Sequence, residues 1–254
     1  MILKTDLHMH TNFCDGADTP EQMVLSGIEK GLKTIGIVVH SYTHFLPKYC
    51  CMPDQESVFI SEMHRLKDKY ADKINVLCGI EADYLSDKSQ NKFDYVIGSV
   101  HYVKINGKYY PIDHSKEIFT GWVKEVFNGD YYRAVKEYFA LEENVVEKTG
   151  ADIIGHFDLI RKFNANENLF SESDERYLEY STRALDGLIK TKKPFEINTG
   201  AISRGYTDKP YPKMNAYQYI KERGGKFVIS SDSHSAKNIA YQFEKWGKEY
   251  SLSE

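Results

Sequence analysis

The residues most able to do chemistry here are histidines and acids set at fixed spacings. Nine histidines occur in 254 residues, and two of them stand in HMH as His8 and His10. Side chains two apart on a strand share a face, so this pair can chelate one ion. Asp232 and His234, in SSDSH, repeat the spacing near the other end of the chain. Single donors close other apolar runs: His40 after GIVV, Glu81 after LCGI, His101 after IGSV and His156 after IIG. Asp15 follows His10 by five residues. Imidazole and carboxylate together suit Zn, Fe, Mn and related divalent ions. This set exceeds the four ligands of a tetrahedral ion. It calls for two or three ions, with carboxylates bridging.

Elements must bring these donors together. Seven short apolar runs read as strands, at 2–8, 34–40, 74–81, 93–101, 151–156, 194–198 and 226–232. They are near-continuous rather than alternating, as strands buried on both faces should be. Helical patterns lie between them. One starts with Thr19 as N-cap, Pro20 at the first position and Gln22 completing a capping box, and ends near Gly31. Others cover 56–70, 172–190 and 217–223, the last stopped by Gly224 and Gly225. Strand alternating with helix implies parallel βαβ units. Seven of them imply a closed or nearly closed β/α barrel, one strand short of the usual eight. An open doubly wound sheet is the rival, but its Gly-rich first turn is replaced here by HMHTNF. In a barrel the carboxyl ends of the strands form the active-site face. Six of the seven runs end in, or just before, His, Asp or Glu.

Composition narrows the rest. With 41% hydrophobic residues, 28% charged and a formal charge of −4, the chain fits one barrel-sized domain or two small ones, and the seven βαβ units favour a single domain over 1–254. The charge balance argues against nucleic acid as partner. No apolar run reaches 18 residues, so no membrane span is expected. The N-terminus lacks a signal-peptide pattern, and no C-x-x-C links Cys14, Cys50, Cys51 or Cys78. A cytoplasmic address and free thiols are expected. Cys14 reads as a small buried filler, His64 as a helix-surface residue, and His44 and His114 as solvated loop residues.

A cluster of divalent ions lowers the pKa of a bridging water and clamps the charge of an in-line displacement. Phosphate-ester hydrolysis needs both, plus positive charge on the equatorial oxygens. Arginine supplies that with a forked contact. Arg161, in GHFDLIRKF, and Arg204, in INTGAISRG, follow the fifth and sixth strands and are the candidates. The tyrosine-rich stretch 101–150 is longer than a crossover needs, so it forms either a lid or pocket wall, or extra packed scaffold. Asp83, Asp113 and Asp158 are further acids of the lid or loops that could pair with a cationic group.

HMHTNFCDG, the strand-end His40, GIEADYL, SVHYV, GHFD and SSDSH occur in order over essentially the whole chain. Together they resemble the polymerase-and-histidinol-phosphatase (PHP) superfamily, and GHFDLIRKF and FEINTG look like its single-domain phosphatases. The resemblance implies a distorted (β/α)7 barrel with a trinuclear centre, or two ions in some members. It assigns one ion to His8, His10, Glu81 and Asp232, with Glu81 bridging to a second bound by His101 and His156. It gives the third to Asp15, His40 and His234. The implied activity is hydrolysis of a small-molecule phosphomonoester, L-histidinol phosphate, by a metal-bridging hydroxide, with Arg161, Arg204, Asp232 and His234 at the reacting phosphate. Phosphotyrosine or a nucleotide is the alternative substrate. The family's acid before the second-strand histidine is replaced here by Val39. An amidohydrolase barrel also opens with H-x-H, but it carries a Lys or Glu on the fourth strand and a lone Asp on the last. A protein that only holds metal would not need arginines beside it.

Overall fold

Every apolar run contributes a strand to one parallel sheet, and most of the strands are shorter than the runs. The computed structural model describes residues 2–165 and 168–252. The sheet strands are β1 (Thr5–Asp6), β2 (Thr34–His40), β3 (Asn75–Asp83), β4 (Tyr95–Ser99), β7 (Ile153–Ile154), β8 (Phe195–Asn198) and β9 (Phe227–Ser230). They pair in that order, so neighbours in sequence are neighbours in space. The first run loses its start because Ile2–Lys4 forms a 3-10 turn. There Leu3 lies against Gly247 of helix α9 (Phe243–Glu249).

The two ends of the sheet approach each other, giving a nearly closed seven-stranded barrel. Met9 forms a parallel bridge with Ser233. The His10 N–H donates to Ser233 O at 2.8 Å, and the Ala17 N–H to His234 O at 2.8 Å. Below that seam the buried Asp6 carboxylate accepts the N–H groups of Ser231 and Ala240, each at 3.0 Å. The seam therefore joins the segments that carry the first and last metal-type donors.

The barrel interior is filled from several strands, with Val38, Tyr95, Ile97 and Ile153 packed together. Tyr95 on β4 reaches across to β1, where its hydroxyl donates to Leu7 O at 2.6 Å. Its ring occupies the space that a Cβ would take at Gly36 on β2 or Gly79 on β3. Two glycines on adjacent strands thus admit one large side chain, in keeping with close-packed interiors.

Helix α1 (Pro20–Glu29) begins as expected: the Gln22 N–H donates to Thr19 Oγ1 at 3.3 Å and the Thr19 N–H to Gln22 Oε1 at 2.8 Å. Helices α2 (Glu56–Lys69), α6 (Glu175–Lys190) and α8 (Met214–Glu222) follow the other patterns. The stretch 101–150 proves to be both wall and scaffold. It opens with a hairpin, β5 (Tyr102–Ile105) and β6 (Lys108–Pro111). Asn106 and Gly107 turn it with φ of 50° and 81°, the mirror-image turn that suits strand twist. Helices α3 (Lys116–Phe127), α4 (Tyr131–Glu142) and α5 (Val145–Thr149) follow. Phe119, Trp122, Tyr138 and Phe139 from this scaffold share a core with Tyr177 and Leu185 of α6.

Glu142 lies fully buried at the end of α4. It sits 2.8 Å from the Tyr138 hydroxyl, which also reaches Phe157 O at 3.0 Å. Burial holds its carboxyl well above the usual range, which favours the protonated form in the folded protein. The proton lets Glu142 donate to Tyr138 and Tyr138 donate to Phe157, tying α4 to the turn after His156. An unfolded Glu142 ionises near pH 4.3. Stability from this group is therefore full below that pH and is lost as pH rises toward the folded pKa. Glu142→Gln imitates the neutral acid. Its Tm should exceed the wild-type value by a margin that widens between pH 5 and pH 8, reaching about 3 °C or more for each kcal/mol relieved. Thermal unfolding at the two pH values checks this.

Candidate metal centre

Parallel pairing sets the floor of the site. Register places His40 at the end of β2 beside Glu81 on β3. His8 and His10 follow β1, His101 and His156 lie two residues past β4 and β7, and Asp232 lies two past β9. All emerge at one mouth. Glu81 is buried and stands among five imidazoles. His8 Nε2, His10 Nε2 and His40 Nδ1 are 3.2, 3.3 and 3.0 Å from Oε2. His101 Nε2 and His156 Nε2 are 3.3 and 3.0 Å from Oε1. Ser99 donates its hydroxyl to Oε1 at 2.7 Å, while Oε2 accepts no hydrogen bond among the described residues.

The remaining donors fall into place around this carboxylate. Asp232 Oδ1 is 3.8 Å from His8 Nε2 and 3.6 Å from His10 Nε2. Asp15 lies 3.5 Å from His40 Nε2 and 3.3 Å from His234 Nε2. Glu81 Oε2 thus faces His8, His10 and His40, its Oε1 faces His101 and His156, and Asp15 lies between His40 and His234. Donor atoms gather within 4.8 Å of one another in three overlapping groups: His8, His10 and Asp232; His10, Asp15, His40 and His234; and His40, Glu81 and His101. His8 Nε2 and His10 Nε2 are only 3.2 Å apart, a geometry that suits two lone pairs on a shared cation.

Charge and hydrogen bonding prepare the ligand nitrogens. His10 is pushed down to about 3 by burial and by the facing His40 and His234, so it stays neutral. Burial would lower His8 too, but Glu196, Glu81 and Asp232 hold it well above its usual value. Burial likewise favours the neutral form of Glu81, and His8, His101 and His40 overcome that and keep it ionised. His8 Nδ1–H donates to Glu196 Oε1 at 2.6 Å, leaving Nε2 to face Glu81.

Glu196 is the residue the sequence reading missed. It is a buried acid inside the short strand FEIN, and it also accepts the His156 N–H at 2.8 Å and Asn198 Nδ2–H at 2.9 Å. Ser230 donates its hydroxyl to the same carboxylate. A four-residue strand is too short to show periodicity; the only signal was an acid between Phe195 and Ile197. Asp83 has a similar office, accepting the N–H groups of His101 and Leu85, each at 2.7 Å.

Asp232 carries backbone strain, with φ of 46°, a region that L-residues enter at a cost of about 1 kcal/mol. Gly200, at the start of helix α7 (Gly200–Ser203), fits closely beneath it: a Cβ there would meet Asp232 Oδ2 at 2.9 Å.

The two arginines separate. Arg204 reaches the cavity over the donor cluster, with Nη2 donating to Asp232 Oδ2 at 3.0 Å and Nη1 2.9 Å from His234 Nδ1. Arg161 is not among the side chains that line the cavity. It is buried beneath it, 3.7 Å from Asp158, 3.5 Å from Glu172 and over the Tyr211 ring. Lys162, the next residue, lines the cavity instead. His114, expected in solvent, forms part of the wall with Tyr49 and Tyr102. His44 is exposed and pairs with Asp87, and His64 is exposed on α2. Cys14 lies 3.5 Å from His10 Nδ1; burial and Asp15 raise its thiol pKa, which disfavours the thiolate ligand. Val39 packs in the core beyond β2. All four cysteines are free.

A family model, PHP domain, matches residues 6–200. The chain belongs to the PHP family. Asp232 and His234 lie beyond the matched segment of this PHP domain. Curated relatives include the histidinol-phosphatase of Bacillus subtilis, 24% identical over 95% of this chain and 97% of its own length. A Schizosaccharomyces pombe protein named "Probable histidinol-phosphatase" is 26% identical over 93% of this chain and 82% of its own. Among solved structures, one from Listeria monocytogenes superposes with TM-score 0.80 at 22% identity, over 95% of this chain and 99% of that one. Another is the histidinol phosphate phosphatase of Lactococcus lactis complexed with zinc, L-histidinol and phosphate. It gives TM-score 0.72 at 21% identity, over 98% of this chain and 94% of that one. Both likenesses bear on the fold: the same barrel underlies the three chains. Among the described residues no helix is long and apolar enough to cross a membrane.

Glu196→Gln keeps the shape but weakens the hold on His8 Nδ1. Metal affinity should fall about 10- to 100-fold, measured by metal content after dialysis against a graded chelator series.

Proposed function

We propose that this PHP domain is a metal-dependent phosphomonoesterase that hydrolyses L-histidinol phosphate to L-histidinol and phosphate. The single observation that carries the reading is the placement of Arg204 directly beside Asp232 and His234, at the edge of the donor cluster around Glu81. The names of the full-length relatives and the zinc, histidinol and phosphate of the Lactococcus lactis complex support it. The reading treats 1–254 as one catalytic domain.

We assign His8, His10, Glu81 and Asp232 to one divalent ion, Glu81, His101 and His156 to a second, and Asp15, His40 and His234 to a third. Glu81 Oε2, which accepts no hydrogen bond among the described residues, and the facing nitrogens of His8 and His10 fit such ions. When bound, the ions supply positive charge for the phosphoryl oxygens and acidify water toward neutrality. Zinc, iron and manganese all suit the donor set.

The chain's own groups do the positioning. His234 committed through Nε2 carries its proton on Nδ1, which then donates to Asp232 O, 3.1 Å away. Arg204 Nη1 thereby loses its acceptor on His234 and turns to a phosphoryl oxygen, while Nη2 stays on Asp232 Oδ2. Arg161 has a different task in this reading. Buried with Asp158 and Glu172, it supports the turn that carries His156 and Lys162, and so acts on phosphate through its neighbours.

Phosphate release from L-histidinol phosphate should exceed release from phosphotyrosine and nucleotides when Zn, Mn or Fe is supplied. Equal rates across the panel would sink the substrate assignment, and no release from any ester by metal-loaded protein would sink the class. Arg204→Met should lower kcat/KM about 100-fold with metal content retained, the size expected for a lost charge-stabilising donor. Chelator treatment should abolish activity and lower Tm, because the ions bind only the folded chain.

A further inference from the structure

We propose that Asp113 is the counter-ion of the substrate's ammonium group, and that Lys162 passes from Asp113 to the phosphate when substrate binds. The inference rests on the histidinol phosphate reading above. Asp113 and Lys162 both line the cavity, which has a volume of about 260 Å³. Lys162 Nζ donates to Asp113 Oδ2 at 3.0 Å and to Asp113 O at 2.9 Å.

Geometry separates Asp113 from the other two acids that sequence left open. Asp83 spends one carboxylate oxygen on the Leu85 N–H and the other on the His101 N–H. Asp158 lies buried beside Arg161, where it accepts the Lys213 N–H at 2.9 Å, and it does not line the cavity. Asp113 does, and Lys162 is the cation that holds it. Lys162, 3.0 Å away, favours its ionised carboxylate against the effect of burial.

The surroundings fit the rest of the leaving group. His114 follows Asp113 and stands edge-on to Tyr49 and Tyr102, at ring-centre distances of 5.0 and 5.7 Å. These flat faces suit a planar heteroaromatic ring. L-Histidinol phosphate carries an imidazole, an ammonium and a phosphate dianion. Its two charges can exchange partners with the resident pair: ammonium to Asp113, phosphate to Lys162. Each charge is then matched before and after binding. An ester without the ammonium can draw Lys162 only by leaving the partly buried Asp113 without its cation, which is unfavourable. Specificity arises from that penalty as much as from the new contact.

The test compares L-histidinol phosphate with its des-amino analogue, 3-(imidazol-4-yl)propyl phosphate, on metal-loaded protein. Wild type should prefer the aminated ester. Asp113→Asn should lose about 10- to 100-fold in kcat/KM on L-histidinol phosphate, chiefly through KM, as expected for a charge-assisted hydrogen bond. On the des-amino ester the same variant should keep or gain activity, because Lys162 is released. Lys162→Met should weaken both esters. Equal losses on both esters for Asp113→Asn, or no wild-type preference for the amine, would overturn the inference while leaving the phosphatase reading intact. Wild type that spares L-histidinol phosphate yet cleaves other esters would remove that reading, and this one with it. Should Asp113→Asn fold poorly by circular dichroism, Asp113→Asn with Lys162→Gln removes the orphaned cation and must still lose the preference for the amine.

Discussion

One buried carboxylate organises this barrel. Glu81 faces His8, His10, His40, His101 and His156, which arrive from β1, β2, β4 and β7. Such a group stays ionised in an apolar interior only if cations surround it. The imidazoles supply part of that, at the cost of crowding one another; burial and the facing His40 and His234 keep His10 neutral. Much of the polar chemistry beneath the mouth then follows. Ser99 holds one oxygen of Glu81, Glu196 fixes His8, Asp83 fixes the backbone of His101, and Asn198 links Glu196 to Asp232. Replacing any one of these by an apolar residue would leave a buried partner unsatisfied.

The mouth is built differently from the floor. The loop after β2 and the hairpin β5–β6 meet through rings: Phe45 stacks on Tyr109 at 3.8 Å between centres, and Phe45 meets Tyr102 edge-on. Floor residues sit on strands or just past their ends, whereas this wall rests on side-chain packing between two insertions. Metal-type donors therefore follow the sheet, and the wall of the mouth follows the loops, a division common in barrel enzymes.

Much of this was legible in sequence. A strand end is where an apolar run meets a polar residue, so His40, Glu81, His101 and His156 announced both the element and the donor. The capping box at Thr19 was readable because capping depends on local chemistry alone. What stayed hidden depends on direction. Glu196 points inward from the middle of a strand, and no spacing rule distinguishes inward from outward in four residues. Arg161 and Lys162 are adjacent, yet one is drawn down by Asp158 and Glu172 while the other meets the cavity. Helix α3 and the hairpin went unread as elements, although Asn106 and Gly107 are a recognised hairpin turn; the aromatic residues around them masked strand alternation.

The seam between β1 and β9 has a consequence for how the protein comes into being. Its hydrogen bonds join Met9 and His10 to Ser233, residues far apart along the chain. A growing chain must hold the open edge of β1 exposed until β9 leaves the ribosome, and closure of so long a loop is entropically slow. His8 and His10 wait all that time for Asp232 and His234. The donor cluster is thus a checkpoint: a chain truncated before β9 retains most of the histidines but cannot assemble the set that spans the seam.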